Sequence, residues 1–409
     1  MDNANLQSII LTEGCADTLY GKLHGLLSIV RRHLDMDVAF VSEFVDAQRV
    51  FRFVDAASRQ PPLEVGGSDP LEETYCKRIA DRKLENIIRD TSGNPITKSL
   101  SVTEKLAIGA YIGVPITLST GAVYGTFCCY KGAADETLNN RDLAFLSAIS
   151  EIAGELIESN IDAENEQREM LERVRSVLDD AKVDIHYQPI FNLHTNEVAG
   201  FESLARFASN PYRTPDVWFD EASQVGLGEE LEVVAIRNAV RGLNHFRDDA
   251  YISINASPEH VVSGAVAKAI AGVDSRRIVL EVTEHSPVNN YSELARAIEV
   301  LRERGMRLAI DDAGAGYASF QHVLELNADI IKLDISLTKN IHAEPRKYSL
   351  AKALCAFAKS VGCSIIAEGI ETEEDLQVLR KLGVDKVQGY LLGRPVPLQE
   401  AVSAQHQCI

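Results

Sequence analysis

Apolar positions fall into three textures along the chain. Over residues 15–34, Leu19, Leu23, Leu26, Leu27, Val30 and Leu34 recur at helical spacing. Short β-like runs follow at 38–44, 50–56, 111–118 and 123–130, with Ser119-Thr120-Gly121 as a hairpin turn between the last two. Residues 91–105, rich in Ser, Thr, Lys and Gly, predict an irregular loop or lid. This first part therefore reads as α+β.

From Asn139 the pattern turns helical and stays so to about Ala181, with no Pro in the stretch. Ile149, Leu156, Ala163, Met170 and Val177 recur every seven residues. Such a seam suits a helix pair across a dimer, although Ser159, Glu166 and Arg173 are polar at the companion positions. A single connector helix packing on its own domains is the alternative.

The third texture alternates strand-like runs with amphipathic stretches. The runs lie at 183–191, 198–207, 251–255, 277–282, 307–311, 330–334, 363–367 and 386–391. Repeated strand–helix alternation predicts a parallel β/α sheet or barrel, and the count of about eight runs favours the barrel. Residues 192–197 are too few for a crossover helix, so the first two runs should be antiparallel.

Composition narrows the function classes. The 409 residues are 45% hydrophobic and 25% charged, as in ordinary soluble proteins, and the net charge is −19. So acidic a chain is a poor binder of duplex nucleic acid or anionic membrane, and a small anionic ligand would need a local positive charge, which a metal cation could supply. No apolar run is long enough to span a bilayer and no secretory signal is visible. Seven scattered cysteines without CxxC spacing suggest neither a disulfide framework nor a zinc site. A cytoplasmic protein with reduced thiols is expected, the pair Cys128-Cys129 being buried packing.

The strand-like runs carry the candidate chemistry. Glu202, Asn255, Glu281, Glu284, Asp311, Asp312, Lys332, Glu368 and Gln388 all stand in or just after them. In a β/α barrel the carboxyl ends of the strands converge on one face. So many carboxylates cannot share a bowl unpaired, and hard cations such as Mg²⁺ or Mn²⁺ resolve the repulsion with oxygen ligands alone. Asp311-Asp312 could bridge two ions, which suits phosphodiester hydrolysis, with Lys332 as a fixed charge for phosphate.

Several motifs resemble the EAL-type cyclic di-GMP phosphodiesterases. They include the run from Asp184 to Ile190, the run from Gly200 to Arg206, Asn255-Ala256-Ser257-Pro258, Glu281-Val282-Thr283-Glu284 and Asp311-Asp312-Ala313-Gly314-Ala315-Gly316-Tyr317. Ile331-Lys332-Leu333-Asp334, Ala367-Glu368-Gly369-Ile370-Glu371 and Gln388-Gly389-Tyr390 complete the order. The resemblance implies an α/β fold, a modified (β/α)8 TIM-type barrel with one antiparallel strand. It also implies hydrolysis of cyclic di-GMP to linear pGpG with two Mg²⁺ or Mn²⁺, Ca²⁺ being inhibitory, in a homodimer.

Carried onto this chain, the resemblance makes Glu202, Asn255, Glu281 and Asp311 ligands of one ion. Asp311 would bridge to the second, with Asp312 beside it. Glu368 would bind that second ion or act as base, Lys332 would hold or polarise the water, and Gln388 would support the site. Glu284 would brace the loop after Asp312. Gln188 would meet a guanine and Arg206 a phosphate. Two positions depart from the pattern: Ser203 replaces the usual Ala, and Ala313 stands where Phe is usual.

The front part resembles a GAF sensor domain, giving an expected division into 1–159 (sensor), 160–180 (helical linker continuous with the last sensor helix) and 181–409 (barrel). The sensor ligand is not legible. Cys76 is followed by Lys77 rather than the His usual at bilin-attaching cysteines, and His24 and His33 read as ordinary helix residues. A catalytically silent cyclic di-GMP receptor acting through a partner, and an unrelated metal-dependent barrel enzyme, are the competing readings. Filled ligand positions argue against the first, and Gln188 with Arg206 against the second.

Overall fold

The computed structural model describes residues 18–58, 63–179, 182–209, 211–283, 288, 290–313 and 318–409. Backbone contacts divide the chain into two units, Met1–Glu166 and Gln167–Ile409.

The first unit is built on a six-stranded antiparallel sheet. Its strands are β1 (Val38–Val45), β2 (Gln48–Ala56), β3 (Ser68–Pro70), β4 (Ile87–Ile88), β5 (Ala110–Thr117) and β6 (Val123–Lys131), in the spatial order β3-β2-β1-β6-β5-β4. Alternation along each strand gives the sheet two apolar faces. On one, Ala39, Val41, Ile112, Phe127 and Cys129 pack with Leu23, Leu27 and Val30 of the helix Leu19–His33, which Thr18 caps. The other face carries Phe40, Phe51, Tyr111, Cys128 and Tyr130 against the short helix Tyr75–Ala80.

Residues 91–105 are not an irregular loop. Two short helices, Pro95–Ser99 and Ser101–Lys105, occupy most of the stretch. Asn94 caps the first with Pro95 in its opening turn, and buried Thr97 donates to the Thr91 carbonyl at 2.7 Å. Its polar composition thus serves capping and internal hydrogen bonds rather than solvation. Strands β3 and β4 carry too few residues to show a period, and the sequence pattern misses them.

The helix Asn140–Asp179 follows. Leu146, Ala153 and Ile157 are buried in the first unit's core, and Val174 and Val177 in the second unit's. Ala163, in the predicted seam, is exposed.

The second unit is a closed eight-stranded barrel: β7 (Val183–Asn192), β8 (Val198–Phe207), β9 (Tyr251–Asn255), β10 (Ile278–Thr283), β11 (Arg307–Ala313), β12 (Ile330–Leu333), β13 (Ser364–Ala367) and β14 (Lys386–Val387). Strand β7 runs antiparallel to both β8 and β14, and β8 to β14 are mutually parallel. A short strand β15 (Val396–Pro397) pairs with the outer part of β7.

Period-two alternation sorts the barrel strands. Ile252, Ile254, Leu280, Val282, Leu308, Ile310, Ile331 and Leu333 face the surrounding helices in the main core. The opposite set, Ile190, Tyr251, Val279, Ala309, Ile330 and Ile366, packs into an apolar layer inside the barrel. Gly200 makes room for it, since a Cβ there would meet the Tyr251 carbonyl at 2.5 Å and its ring at 2.7 Å.

Candidate metal and substrate site

Two residues along from each apolar interior residue, the same face of the strand carries a polar one. The steps are Ile190 to Gln188, Tyr251 to Ser253, Val279 to Glu281, Ala309 to Asp311, Ile330 to Lys332 and Ile366 to Glu368. Alternation alone therefore stacks a polar ring on an apolar floor.

Lys332 is the centre of that ring. Its side chain is 0% exposed, and its ammonium lies 2.8 Å from Glu368, 2.9 Å from Glu281, 3.1 Å from Asp311 and 3.6 Å from Glu202. Burial alone would lower the lysine pKa, but Asp311, Glu202, Glu281 and Glu368 raise it well above the usual value. Burial pushes Glu281 up to about 8, with Lys332 opposing and Glu202 and Asp311 adding to the rise. Glu368 is likewise raised well above the carboxylate range by burial, against Lys332. One cation cannot neutralise four carboxylates at this range.

Strand β11 carries a bulge at this point. Ile310 pairs with Ile331 and Ala313 with Leu333, so Asp311 and Asp312 together face Lys332. Asp312 takes a left-handed backbone (φ 57°), which Asp tolerates better than most residues, and its N–H donates to Asp311 Oδ1 at 2.9 Å. The bulge brings both aspartates to the ring. Glu202, Glu281 and Asp311 form one group whose carboxylate oxygens lie within 4.8 Å of one another, and Asp311, Asp312 and Glu368 form a second. Asp311 belongs to both.

These residues suit divalent cations. All the donors are hard oxygens, and the buried Glu281 Oε1 has no hydrogen-bond partner. Asn255 ends β9 in register with Glu281 and is exposed. Gln388 donates to Glu202 Oε2 and, at 3.3 Å, to Gln188 Oε1. Gln188 in turn donates to the Gly393 carbonyl at 2.9 Å, so both ends of its amide are engaged. Glu284, His285 and the run Gly314-Ala315-Gly316 lie outside the described residues.

A cavity of about 510 Å³ opens beside Asn255 and Arg206. Phe219, Ile185 and Ile236 give it apolar walls. Arg206 donates to the Ala205 carbonyl at 2.8 Å, and no described carboxylate pairs with it. Ser203, the first departure from the motif, spends its hydroxyl on the Ser253 carbonyl at 2.5 Å. Ala313, the second, is buried in the main core.

Sequence reading missed one part of this wall. Glu232 accepts from the Ser257 N–H (3.0 Å) and hydroxyl (2.7 Å) and lies 3.0 Å from His260 Nδ1. That clamp fixes the turn directly after Asn255. The available signal was a charged residue on the buried face of helix Gly228–Arg241, among Leu231, Ala235, Ile236 and Ala239. Trp218 is core, stacked on Phe207 at 5.2 Å. Among the described residues, no helix is long and apolar enough to cross a membrane.

Comparison with known proteins places this geometry. Residues 164–395 match the EAL domain and residues 23–158 a GAF domain. The cyclic di-GMP phosphodiesterase NbdA of Pseudomonas aeruginosa is 31% identical over 57% of this chain and 31% of its own length. The probable cyclic di-GMP phosphodiesterase PdeA of Escherichia coli is 31% identical over 56% of this chain and 33% of its own. The chain thus spans about a third of the length of these curated relatives. Among solved structures, the PaMucR phosphodiesterase in complex with c-di-GMP superposes with a TM-score of 0.52 at 26% identity, over 57% of this chain and 99% of that one. The chain belongs to the EAL domain family, with a GAF domain ahead of its EAL domain.

Proposed function

We propose that the protein hydrolyses cyclic di-GMP to linear pGpG, with divalent cations bound at the carboxylate ring and the front domain regulating the output. The observation that carries this reading is Lys332 amid the carboxylates of Glu202, Glu281, Asp311 and Glu368, each brought by a different strand or strand end. The named activity of relatives in the same family supports the substrate assignment.

In this reading Glu202, Asn255, Glu281 and Asp311 hold one Mg²⁺ or Mn²⁺, and Asp311, Asp312 and Glu368 the other. Bound there, the pair would lower the pKa of water and stabilise charge on the scissile phosphate. The residues do the rest. Lys332 keeps a permanent positive charge at the ring and orients the attacking water, while Glu368 is placed to accept its proton. Arg206 meets a substrate phosphate at the cavity rim. Gln388 fixes the orientation of Glu202, and Gln188 is held by Gly393 and Gln388 so that its position beside a guanine is set in advance.

We further propose a cytoplasmic homodimer joined along helix Asn140–Asp179 at the seam positions Ala163 and Met170, since Ile149 and Leu156 pack on the first unit's core and Val177 is buried in the second unit's. The filled ligand positions favour the enzyme over a silent receptor.

The test is incubation of the purified full chain with cyclic di-GMP and Mg²⁺ or Mn²⁺. Formation of pGpG is expected, with loss on Glu202→Ala and suppression when Ca²⁺ replaces Mg²⁺. Turnover that persists in Glu202→Ala would remove Glu202 from the essential ligands. Absence of turnover with retained dinucleotide binding would select the receptor reading.

A further inference from the structure

The first unit holds a charged cluster in its interior that no part of the proposed phosphodiester chemistry uses. Cys76 and Cys128 are both 0% exposed, with sulfurs 3.8 Å apart. Around Cys76 Sγ stand three donors: the Arg49 guanidinium at 3.4 Å, the Tyr111 hydroxyl at 3.4 Å and the Ser42 hydroxyl at 3.9 Å. Arg49 is itself buried, lying 4.4 Å over the Phe51 ring. The ion pair with Asp69 and the stacking on Phe51 hold the guanidinium inside, and one of its nitrogens is turned to the Cys76 sulfur.

From the cysteine pair, its donors and its aromatic surroundings, we infer that Cys76 is a peroxide-reactive thiolate and Cys128 its resolving thiol, the oxidant being a hydroperoxide.

The electrostatics agree with that geometry. Burial raises the Cys76 pKa, but hydrogen bonding from Cys128 and the charge and hydrogen bond of Arg49 bring it well below the usual thiol value. Cys128 is pushed the other way by burial and by Cys76, and stays protonated. Burial and the two sulfurs also hold Tyr111 well above the phenol range, which keeps its hydroxyl a donor. Cys129 is the internal control. One residue along β6 it points to the opposite face, is equally buried, and is shifted upward by burial.

A polar chain links the cluster to the surface. The largely exposed Lys105 donates to Asp69 at 2.5 Å, Asp69 pairs with Arg49, and Arg49 touches Cys76. Asp69 sits on β3, a three-residue strand at the sheet edge. So short an edge opens locally at lower cost than the domain unfolds. The aromatic lining favours an organic hydroperoxide.

The chemistry balances. The Cys76 thiolate attacks the outer peroxide oxygen; the S–O bond forms, the O–O bond breaks, and the departing alkoxide takes a proton from solvent. The sulfur is oxidised to a sulfenic acid and the hydroperoxide reduced to an alcohol. Cys128 sulfur then attacks Cys76 sulfur. The S–S bond forms, the S–O bond breaks, and hydroxide leaves as water with the Cys128 proton. The sulfurs must close from 3.8 Å to a bond of about 2.05 Å.

The experiment treats the reduced full chain with a slight excess of cumene hydroperoxide or of hydrogen peroxide and maps cysteines by mass spectrometry. A Cys76–Cys128 cross-link is expected, reversed by dithiothreitol and formed faster with cumene hydroperoxide. Cys128→Ser should leave a Cys76 sulfenic acid that dimedone traps. Tyr111→Phe, which keeps shape but removes a donor, should slow Cys76 oxidation by about tenfold. Loss of Cys76 and Cys129 at equal rates would mean that global opening sets reactivity, and would overturn the inference. So would a Cys76 that stays reduced while exposed Cys408 is oxidised.

Discussion

The Lys332 ammonium on β12 lies 2.8 Å from Glu368, which directly follows the neighbouring β13, and 2.9 Å from Glu281 on β10, one strand beyond β11 on the other side. It is therefore the built-in counter-charge of a ring that would otherwise repel itself. Removing it leaves buried carboxylates without a partner, at a cost of about 3–5 kcal/mol. Lys332→Met should melt well below the parent in chelator. Added Mn²⁺ should narrow the gap by raising the variant's midpoint more. Midpoints that do not move with Mn²⁺ in either protein would show that the ring holds no cation in solution.

Asp311 is shared by both carboxylate groups, so its loss should cost more than loss of a member of one. Asp311→Asn and Glu202→Gln are each expected to lower pGpG formation by about a hundredfold or more. Isothermal titration with Mn²⁺ should show the larger fall in bound ions for Asp311→Asn.

The clamp at the cavity wall gives a pH dependence away from the ring. The Glu232 carboxylate, 3.0 Å from Nδ1, raises the His260 pKa against desolvation, with help from the charges of Glu259 and Glu229. A raised folded pKa means that the protonated form is favoured on folding. The stabilisation is full below the unfolded value near 6.5 and is lost as pH rises through the folded value. The thermal midpoint of His260→Gln should fall furthest below that of the parent in mildly acidic buffer and converge with it in alkaline buffer.

Ser203 in place of Ala should matter to packing and little to rate. Ser203→Ala removes the hydrogen bond to the Ser253 carbonyl, at about 1 kcal/mol of stability. Denaturant midpoints should register that loss while turnover stays within about twofold, since Glu202 keeps its strand position.

The dimer reading is tested on the seam itself. Ala163→Glu combined with Met170→Glu should shift sedimentation toward the monomer. Neither residue belongs to a buried core, so each unit should remain folded.

The barrel was legible because its strands are buried on both faces and their polar exceptions stand out: Glu202, Glu281, Asp311, Lys332 and Glu368 interrupt otherwise apolar runs. Their meeting was not readable from any one run, since it depends on closure of β14 onto β7. The bulge at Asp311-Asp312 is a backbone event, and nothing in the residue pattern marks the left-handed Asp312. Strands of two or three residues such as β4 and β3 carry no period at all. Glu232 was not legible because it sits on a helix, away from the strand ends that carry the other polar groups. The Arg49–Cys76 pair was invisible for a similar reason: the two residues lie on different elements and meet only when the sheet forms.

The apolar floor beneath the polar ring has a further consequence. Ile190, Tyr251, Val279, Ala309, Ile330 and Ile366 leave no passage through the barrel's axis. Whatever reaches Lys332 must arrive and depart by the same doorway. A cleaved dinucleotide would therefore have to vacate before the next cyclic molecule could enter, so slow departure of the linear product would throttle the cycle however fast the bond is broken.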